Sequence, residues 1–114
     1  MNNFDALAEF KKEFKRLLKK YKTLDDDFEK FKKVLLVTPA GVGKNFVIIH
    51  LTKTIKIVKV RMACRTLRDR SLRVVYAYAE ETQLIKFIEL YYKGDKENEN
   101  RDRIKEYLRN LPNV

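Results

Sequence analysis

Apolar residues recur along this chain with two different periods, and the change of period separates helical from strand-like segments. Near the N-terminus the period is three to four residues, which is typical of an amphipathic helix. The residues on this stripe are Phe4, Leu7, Phe10, Phe14, Leu17, Leu18 and Tyr21. A second stripe follows a break at residues 21–23 and comprises Leu24, Phe28, Phe31, Val34 and Leu35. The short break predicts that the two helices form an antiparallel hairpin.

The break itself carries residues that commonly begin a helix. Thr23, followed three positions later by Asp26, resembles a capping box, and the acidic run Asp25–Asp27 suits a helix N-terminus. Three adjacent carboxylates could also hold a metal ion. Adjacent positions point in different directions around a helix, however, so the acidic helix start is the favoured interpretation.

The second half of the chain is rich in β-branched and aromatic residues. It predicts four strands, over Phe46–Leu51, Thr54–Met62, Ser71–Tyr78 and Leu84–Tyr92. Their short connections favour antiparallel pairing. A closing helix is indicated by Ile104, Tyr107, Leu108 and Leu111, with Asn98 or Asn100 as its cap and Pro112 after it. We therefore expect an α+β fold, in which a four-stranded antiparallel sheet carries the helices on one face.

Length and composition limit the possible classes of protein. The 114 residues are 45% hydrophobic, which predicts a single globular domain over residues 1–114. No apolar run approaches the length of a membrane span, and no signal peptide is evident at the start, so the default location is the cytoplasm. The single cysteine, Cys64, excludes a disulfide framework, and zinc is disfavoured because paired His or Cys ligands are absent.

The charge is strongly basic, with a formal net charge of +10 and a pI of about 9.7. This balance favours an anionic partner. The cations are concentrated between Lys56 and Tyr78, where Asp69 is the one acidic residue. They are Lys56, Lys59, Arg61, Arg65, Arg68, Arg70 and Arg73. Because so many close cations repel one another, this segment predicts a polyanionic ligand, and RNA is our working hypothesis.

A glycine-containing stretch at residues 38–45 superficially resembles a nucleotide-binding P-loop. The motif requires a glycine where Thr38 stands and a Ser or Thr where Asn45 stands, and it must run from a strand into a helix. Here it is predicted to run from a helix into a strand. We therefore reject a nucleotide site, although Lys44 remains a candidate phosphate contact.

Cations and tyrosines are sufficient for one class of chemistry, the cleavage of RNA by its own 2′-hydroxyl. The enzyme must supply a base, donors for the charged phosphorane and an acid for the leaving oxygen. Crowding by other cations favours the neutral form of a lysine, which makes Lys59 a candidate base or phosphate anchor. Arg61 and Arg73 can hold a phosphate bidentately. The tyrosines that could stack on a base or supply a proton are Tyr76, Tyr78, Tyr91 and Tyr92.

Other chemistry is less well supported by the sequence. His50 is the only histidine, and it is interpreted as a structural or surface residue. It could form a dyad with Cys64 only if the fold brought the two together, and Cys64 is more typical of a buried small residue. Asp95, Glu97 and Glu99 lie in a lysine-containing loop and are interpreted as a solvated turn rather than a magnesium site. No metal or other cofactor is expected.

Several segments together resemble the RelE/ParE superfamily of bacterial toxin–antitoxin systems, and within it the RelE-like messenger-RNA endoribonucleases. The segments are Phe14–Tyr21 (FKRLLKKY), Ile57–Arg61 (IVKVR), Leu72–Tyr76 (LRVVY) and Ile85–Lys93 (IKFIELYYK). The pairing of a K-x-R strand with an R-V-V-Y strand is the most recurrent feature. The resemblance implies the RelE-like fold, a curved antiparallel sheet with a helical hairpin packed against it.

The resemblance also implies functional residues and partners. It implies catalytic roles for Lys59, Arg61, Arg73 and Lys93, with Tyr91 or Tyr92 helping to hold or protonate the substrate. The remaining cations are interpreted as RNA or partner contacts: Lys44, Lys56, Arg65, Arg68 and Arg70. The implied partners are ribosome-bound messenger RNA and a cognate antitoxin, and the chain would be a monomer or part of a toxin–antitoxin hetero-oligomer. Three alternatives stay open: a non-catalytic ParE-like toxin that acts on DNA gyrase, a plain nucleic-acid-binding module and an inactive toxin-like protein.

Overall fold

The computed structural model describes residues 3–41, 43–67 and 71–111, which form three α-helices, one 3₁₀ helix and five strands. In chain order the elements are β1 (Asn3–Ala6), α1 (Ala8–Lys20), α2 (Leu24–Val37), β2 (Phe46–Leu51), β3 (Ile55–Ala63), a 3₁₀ helix (Arg65–Leu67), β4 (Ser71–Ala79), β5 (Leu84–Tyr92) and α3 (Arg101–Arg109). The strands form one sheet in the order β1-β5-β4-β3-β2. Consecutive strands from β2 to β5 are therefore neighbours in space.

The antiparallel part of the sheet agrees closely with the sequence prediction. The pairs β2–β3, β3–β4 and β4–β5 are all antiparallel, as their short connections require. The bounds of β2 and β5 are those predicted, and β3 and β4 differ from the prediction by a residue at their ends. The long β3–β4 register runs from Ile55 opposite Ala79 to Ala63 opposite Ser71.

The prediction of a four-stranded, wholly antiparallel sheet is wrong at the N-terminus. Residues Asn3–Ala6 form a fifth strand that pairs in parallel with β5, so that Phe4 lies opposite Ile85. Phe4 stacks on Phe87 with ring centroids 5.8 Å apart, and the Leu7 N–H donates to the Phe87 carbonyl at 2.9 Å. Leu7 has extended backbone angles, so the helix begins only at Ala8. Phe4 fits the helical stripe by spacing but occupies a strand.

One face of the sheet is covered by α1 and α2. Their buried apolar side chains, including Phe10, Leu17, Phe28 and Leu35, share one cluster with β3, β4 and β5. Both helices pack on this same face, in keeping with the predicted helical pair. The result is a core built mainly from aromatic rings and aliphatic strand residues.

The prediction that every helix lies on one face of the sheet is also wrong. Helix α3 packs on the opposite face, where Ile104 is buried against Ile57, Val75 and Ile88. The predicted stripe of α3 is nevertheless correct, because Tyr107, Leu108 and Leu111 join the same cluster. Strands β3, β4 and β5 have apolar residues on both faces, so they require cover on both sides.

The two predicted helix caps have different outcomes. Asn100 caps α3, and its side chain accepts a hydrogen bond from the Arg103 N–H at 3.0 Å. Thr23 precedes α2 but makes no capping hydrogen bond within that helix. Its hydroxyl instead contacts Thr66 Oγ1 at 2.6 Å and accepts from the Thr66 N–H at 3.0 Å. The predicted capping box is therefore replaced by a tertiary contact with the 3₁₀ helix.

The acidic start of α2 has the same tertiary role. Asp27 is buried and accepts hydrogen bonds from the Arg65 N–H at 2.9 Å and from Arg65 Nε at 3.0 Å. Burial alone would raise the pKa of Asp27, but the hydrogen bonds from Arg65 and Thr23 hold that pKa below its ordinary value. This ion pair joins the beginning of α2 to the connection between β3 and β4.

Among the described residues, no helix is both long and apolar enough to cross a membrane.

We predict that Asp27→Asn lowers the free energy of unfolding by about 2 kcal/mol, because it removes a buried carboxylate that accepts charge-assisted hydrogen bonds. The matched control is Asp26→Asn, since Asp26 also contacts Arg65, at 3.5 Å, but its side chain is 79% exposed. The control should change stability by less than about 0.5 kcal/mol. Urea unfolding monitored by circular dichroism would measure both, and equal effects would contradict a structural role for the Asp27 ion pair.

Candidate functional site

The strand register brings three of the predicted catalytic residues into one row. Arg61 on β3 lies directly opposite Arg73 on β4, and Arg73 lies directly opposite Tyr91 on β5. Lys59 is two residues before Arg61, so it is on the same face of β3. This is the face that α3 covers, because Tyr91 belongs to the apolar cluster of Ile104. Lys59, Arg61, Arg73 and Tyr91 therefore form the candidate site.

Two guanidinium groups on directly opposed residues repel each other, which costs free energy. Among residues 3–41, 43–67 and 71–111, neither Arg61 nor Arg73 forms a salt bridge. Arg73 donates from Nη1 to Ser71 Oγ at 2.8 Å and to the Ser71 carbonyl at 3.3 Å. Burial, reinforced by the neighbouring charge of Arg61, lowers the pKa of Arg73. An anion bound between the two arginines would relieve this repulsion.

Lys59 lies beside this arginine pair and is already engaged by an acidic residue. Its Nζ is 2.9 Å from Glu99 Oε1, and Glu99 is 8% exposed. Burial raises the pKa of Glu99, but the hydrogen bond from Lys59, with the nearby charge of Arg101, holds that pKa below its ordinary value. In this ion pair Lys59 Nζ donates a hydrogen bond to the Glu99 carboxylate. The contact suits the predicted role of Lys59 as a phosphate anchor better than its predicted role as the base.

A second buried carboxylate organises the segment that leads from β5 to α3. Glu89 is fully buried, forms an ion pair with Lys96 and accepts a hydrogen bond from the Asn100 N–H at 2.7 Å. Glu89 lies opposite Val75, two residues along the strands from the Arg73–Tyr91 pair. The contacts of Glu89 and Glu99 together hold the segment 96–100 against the candidate site.

Tyr91 is buried, and this limits the roles that its side chain can have. Burial, with the charges of Glu99 and Glu89 nearby, raises the pKa of Tyr91 to about 12. The phenol therefore stays protonated at neutral pH and can donate a hydrogen bond. Lys96 Nζ lies 5.4 Å from the centre of the Tyr91 ring. Tyr91 is only 4% exposed. The ring is thus too enclosed to stack on a nucleobase.

Tyr92 lies apart from the arginine row, and Lys93 lies just beyond the end of β5. Tyr92 points to the opposite face of the sheet, where it packs edge-on against Tyr21 with ring centroids 6.3 Å apart. This position does not bring Tyr92 together with Arg61 and Arg73. Lys93 lies in the exposed turn that directly follows β5. Its predicted catalytic role stays a prediction.

The residues predicted to be RNA contacts are also dispersed. Lys56 forms a salt bridge with Glu80 at 3.1 Å, and Arg65 is held by Asp27 and Asp26. Lys44 is exposed in the loop before β2. Arg68 and Arg70 lie outside the described residues. Arg65 therefore has a structural partner that the sequence reading did not anticipate.

The sequence analysis does not identify two acidic residues beside the site, Glu99 in the polar loop before α3 and Glu89 on β5. The interpretation of Glu99 as part of a solvated turn is wrong, because its side chain is buried and paired with Lys59. A signal did exist for Glu89, since it is the one charged residue in the apolar run from Phe87 to Tyr92. A charge at such a position requires a partner when the strand is buried.

The residues considered for other chemistry are not assembled into a site. Cys64 is fully buried, with its Sγ 3.7 Å from Thr23 Oγ1, whereas His50 is exposed on β2. Within the described ranges, no three His, Cys, Asp or Glu side chains are grouped so as to hold a metal ion. The arrangement of charges thus centres on Lys59 and the two arginines.

We predict that Glu99→Gln lowers stability near pH 7 and that its effect disappears in acid. The folded-state pKa of Glu99 is depressed, so its stabilising contribution is present above the ordinary glutamate pKa of about 4.3. The contribution is lost as the pH falls through the lower, folded-state value. Glu97→Gln, at an exposed position of the same segment, is the control and should have little effect at any pH. Thermal unfolding from pH 3 to pH 7 would measure both, and a pH-independent difference for Glu99→Gln would contradict the ion pair.

Comparison with known proteins finds a similar structure but no matching sequence family. No family model matches the chain, and no curated protein matches it. The fold is similar to that of a chain in the crystal structure of the archaeal RelE–RelB complex from Pyrococcus horikoshii OT3, with a TM-score of 0.63 and 18% sequence identity. The similarity covers 82% of this chain and 96% of the other. The chain therefore has a RelE-like fold.

Proposed function

We propose that this chain is the toxin of a type II toxin–antitoxin system and that it cleaves messenger RNA without a metal ion. The observation that carries the proposal is the directly opposed pair Arg61 and Arg73, which have no acidic partner among the described residues. The RelE-like fold supports it. The ribosome as the place of cleavage rests on the resemblance of the strand segments alone.

The proposed reaction needs positively charged donors for a phosphate whose negative charge increases, and the site supplies these donors. The 2′-hydroxyl of the RNA loses its proton to water and attacks the adjacent phosphorus. The bond to the 5′-oxygen of the next nucleotide breaks, that oxygen takes up a proton from water, and a 2′,3′-cyclic phosphate remains. Charge develops on the phosphorane oxygens, where planar guanidinium groups can bind bidentately. Arg61 and Arg73 would stabilise that charge, and Lys59 would anchor the phosphate from the neighbouring position of β3.

A cognate antitoxin is the second part of the proposal. The similar protein was crystallised as a RelE–RelB complex, and the fold likeness makes an analogous protein partner reasonable for this chain. The net charge of +10 supports an acidic one. The partner would silence the chain by competing with RNA for the cations of the site.

We predict that Arg73→Ala lowers the rate of messenger cleavage by about 100-fold, the usual effect of removing one donor to a transition-state anion. Arg61→Ala should have a similar effect. Arg73→Lys should recover only part of the rate, because an ammonium cannot bind phosphate bidentately. The measurement is primer extension on messenger RNA programmed into purified ribosomes, with the purified chain added.

The control for lost charge is Lys19→Ala, which removes one cation from an exposed position of α1 on the other side of the sheet. Its cleavage rate should equal that of the unchanged chain. Equal rates for Arg73→Ala and the unchanged chain would refute the catalytic assignment. Absence of cleavage together with inhibition of gyrase supercoiling would instead support the non-catalytic ParE-like alternative.

A further inference from the structure

A cleft lies beside the candidate site, between β2 and α3, and the proposed reaction does not use it. Its volume is about 380 Å³. Its floor is apolar and belongs to the cluster that α3 buries against the sheet, with Ile49, Ile104 and Leu108 as its residues. Its rim is polar and carries His50, Glu99, Arg101 and Lys105. An apolar cleft with a few polar groups around it is the usual form of a ligand site.

An irregularity in β2 gives the cleft one of its walls. The register between β2 and β3 shifts between Ile48 and His50, where two steps along β2 correspond to one step along β3. Bulges of this kind re-aim side chains and are common beside active sites. Here the consecutive residues Ile49 and His50 both line the cleft, whereas regular alternation would turn them to opposite faces of the sheet. The irregularity therefore adds an imidazole ring to the aliphatic floor.

The cleft is continuous with the candidate site through Glu99. Glu99 Oε1 is 2.9 Å from Lys59 Nζ, and Glu99 Oε2 is 3.5 Å from Arg101 Nε on the rim of the cleft. His50 lies opposite Ile57, which is two residues from Lys59 on β3, a separation of about 7 Å. A group bound in the cleft and a phosphate bound by Lys59 would therefore be close enough to belong to one nucleotide strand.

The charges of the cleft suit a ligand that carries phosphate. Glu99 is the one acidic residue of the lining, and its carboxylate already has a cation beside each oxygen. The side chain of Arg101 is 79% exposed. Lys105 is exposed and forms no salt bridge within residues 3–41, 43–67 and 71–111. Both cations therefore have donors to offer to an anion at the mouth of the cleft.

The apolar floor indicates what accompanies the phosphate. Proteins recognise single-stranded RNA by packing its unstacked bases against flat side chains, histidine among them. A nucleobase has apolar faces, which suit the aliphatic floor, and the imidazole of His50 offers it a second flat surface. A volume of about 380 Å³ is at the small end of ligand sites, which suits one base rather than a helical stretch of RNA.

We propose that the cleft between β2 and α3 binds one unstacked nucleobase of the RNA, with His50 packed on the base and Arg101 and Lys105 on the adjoining phosphate. This proposal rests on the proposed function, because the strand is the one whose phosphate Arg61 and Arg73 would bind. The bound base would fix the position of the strand along β3. It would thereby determine which phosphate reaches the arginine pair and hold that phosphate in place for reaction.

The test uses five-nucleotide strands with 2′-fluoro sugars, which lack the attacking hydroxyl, and a dye at one end to report binding by fluorescence anisotropy. Strands that lack a single base, each at a different position, should bind about tenfold more weakly at one position only. His50→Ala should weaken binding of the intact strand by about tenfold and should not further weaken binding of that one strand. Leu51→Ala is the matched control and should change nothing, because Leu51 is 63% exposed on the same strand and does not line the cleft.

The phosphate contact has a separate readout in the dependence of affinity on salt. Lys105→Ala should reduce the slope of log affinity against log salt concentration by about one, as expected for the loss of one phosphate contact. Arg109→Ala is its control, since Arg109 is exposed one turn further along α3 and does not line the cleft. Its slope should equal that of the unchanged chain.

Several results would overturn the proposal. Absence of binding by the intact strand, or equal affinities for all strands that lack one base, would remove the base site. Equal effects of His50→Ala and Leu51→Ala would assign any binding to the edge of β2 instead of the cleft. Because binding is measured without cleavage, full activity of Arg73→Ala would refute the catalytic assignment and leave the base site standing. Normal cleavage without a base-specific loss of affinity would do the reverse.

Discussion

The constraint on which the structure depends is that β4 and β5 are buried on both faces. Helices α1 and α2 cover one side and α3 covers the other, so a polar group on these strands needs a partner within the protein. Most of them have one. Tyr76 donates to the Pro39 carbonyl at 2.7 Å, and burial raises the pKa of its phenol. Glu89 receives Lys96 and the Asn100 N–H. Arg73 on β4 is different: among the described residues it donates to Ser71 and forms no ion pair with a carboxylate, and Arg61 lies opposite it on β3.

The contacts of Glu89 and Glu99 explain how Arg61 and Arg73 are held close together despite their like charges. They fix the segment that leads to α3, and α3 in turn covers the apolar part of the same sheet face. Arg103 extends this connection, since it is paired with Glu13 of α1 and also donates to the Ile88 carbonyl. The two arginines therefore sit on a surface whose shape is set by buried ion pairs around them. Their mutual repulsion is offset elsewhere in the fold rather than at the site.

The sequence predicts those helices and strands that are long enough to show a clear hydrophobic period within their own residues. The period of two located β2 and β5, and Asn100 was recognisable as a cap from its own neighbours. The short strand β1 could not be recognised, because four residues do not distinguish a strand from the first turn of a helix and its partner is distant in sequence. The side of the sheet that α3 covers was equally inaccessible. Both faces of the central strands are apolar, and nothing local indicates which helix goes to which face.

The same distinction applies to the candidate site. Lys59 and Arg61 share a face by simple alternation, and an antiparallel β3–β4 pair can place Arg73 beside them. The choice between Tyr91 and Tyr92 depends on a register irregularity near Val75 and Tyr76, which changes the phase of β5 relative to β4. No sequence pattern marks that irregularity. The pairing of Lys59 with Glu99 joins residues far apart in the chain, and the loop composition around Glu99 resembles that of an ordinary solvated turn.

The position of Arg61 connects the proposed reaction with the proposed partner. Its side chain lies on the same face of the sheet as that of Arg73, directly opposite it in the β3–β4 register, and it forms no ion pair with a carboxylate among the described residues. A single guanidinium cannot bind an RNA phosphate and a partner carboxylate at full strength at once, because each requires the same planar donors. The two ligands would therefore be mutually exclusive without any conformational change in the chain. Inhibition would then follow from competition for charge, and it would weaken as rising salt screens the exposed contacts.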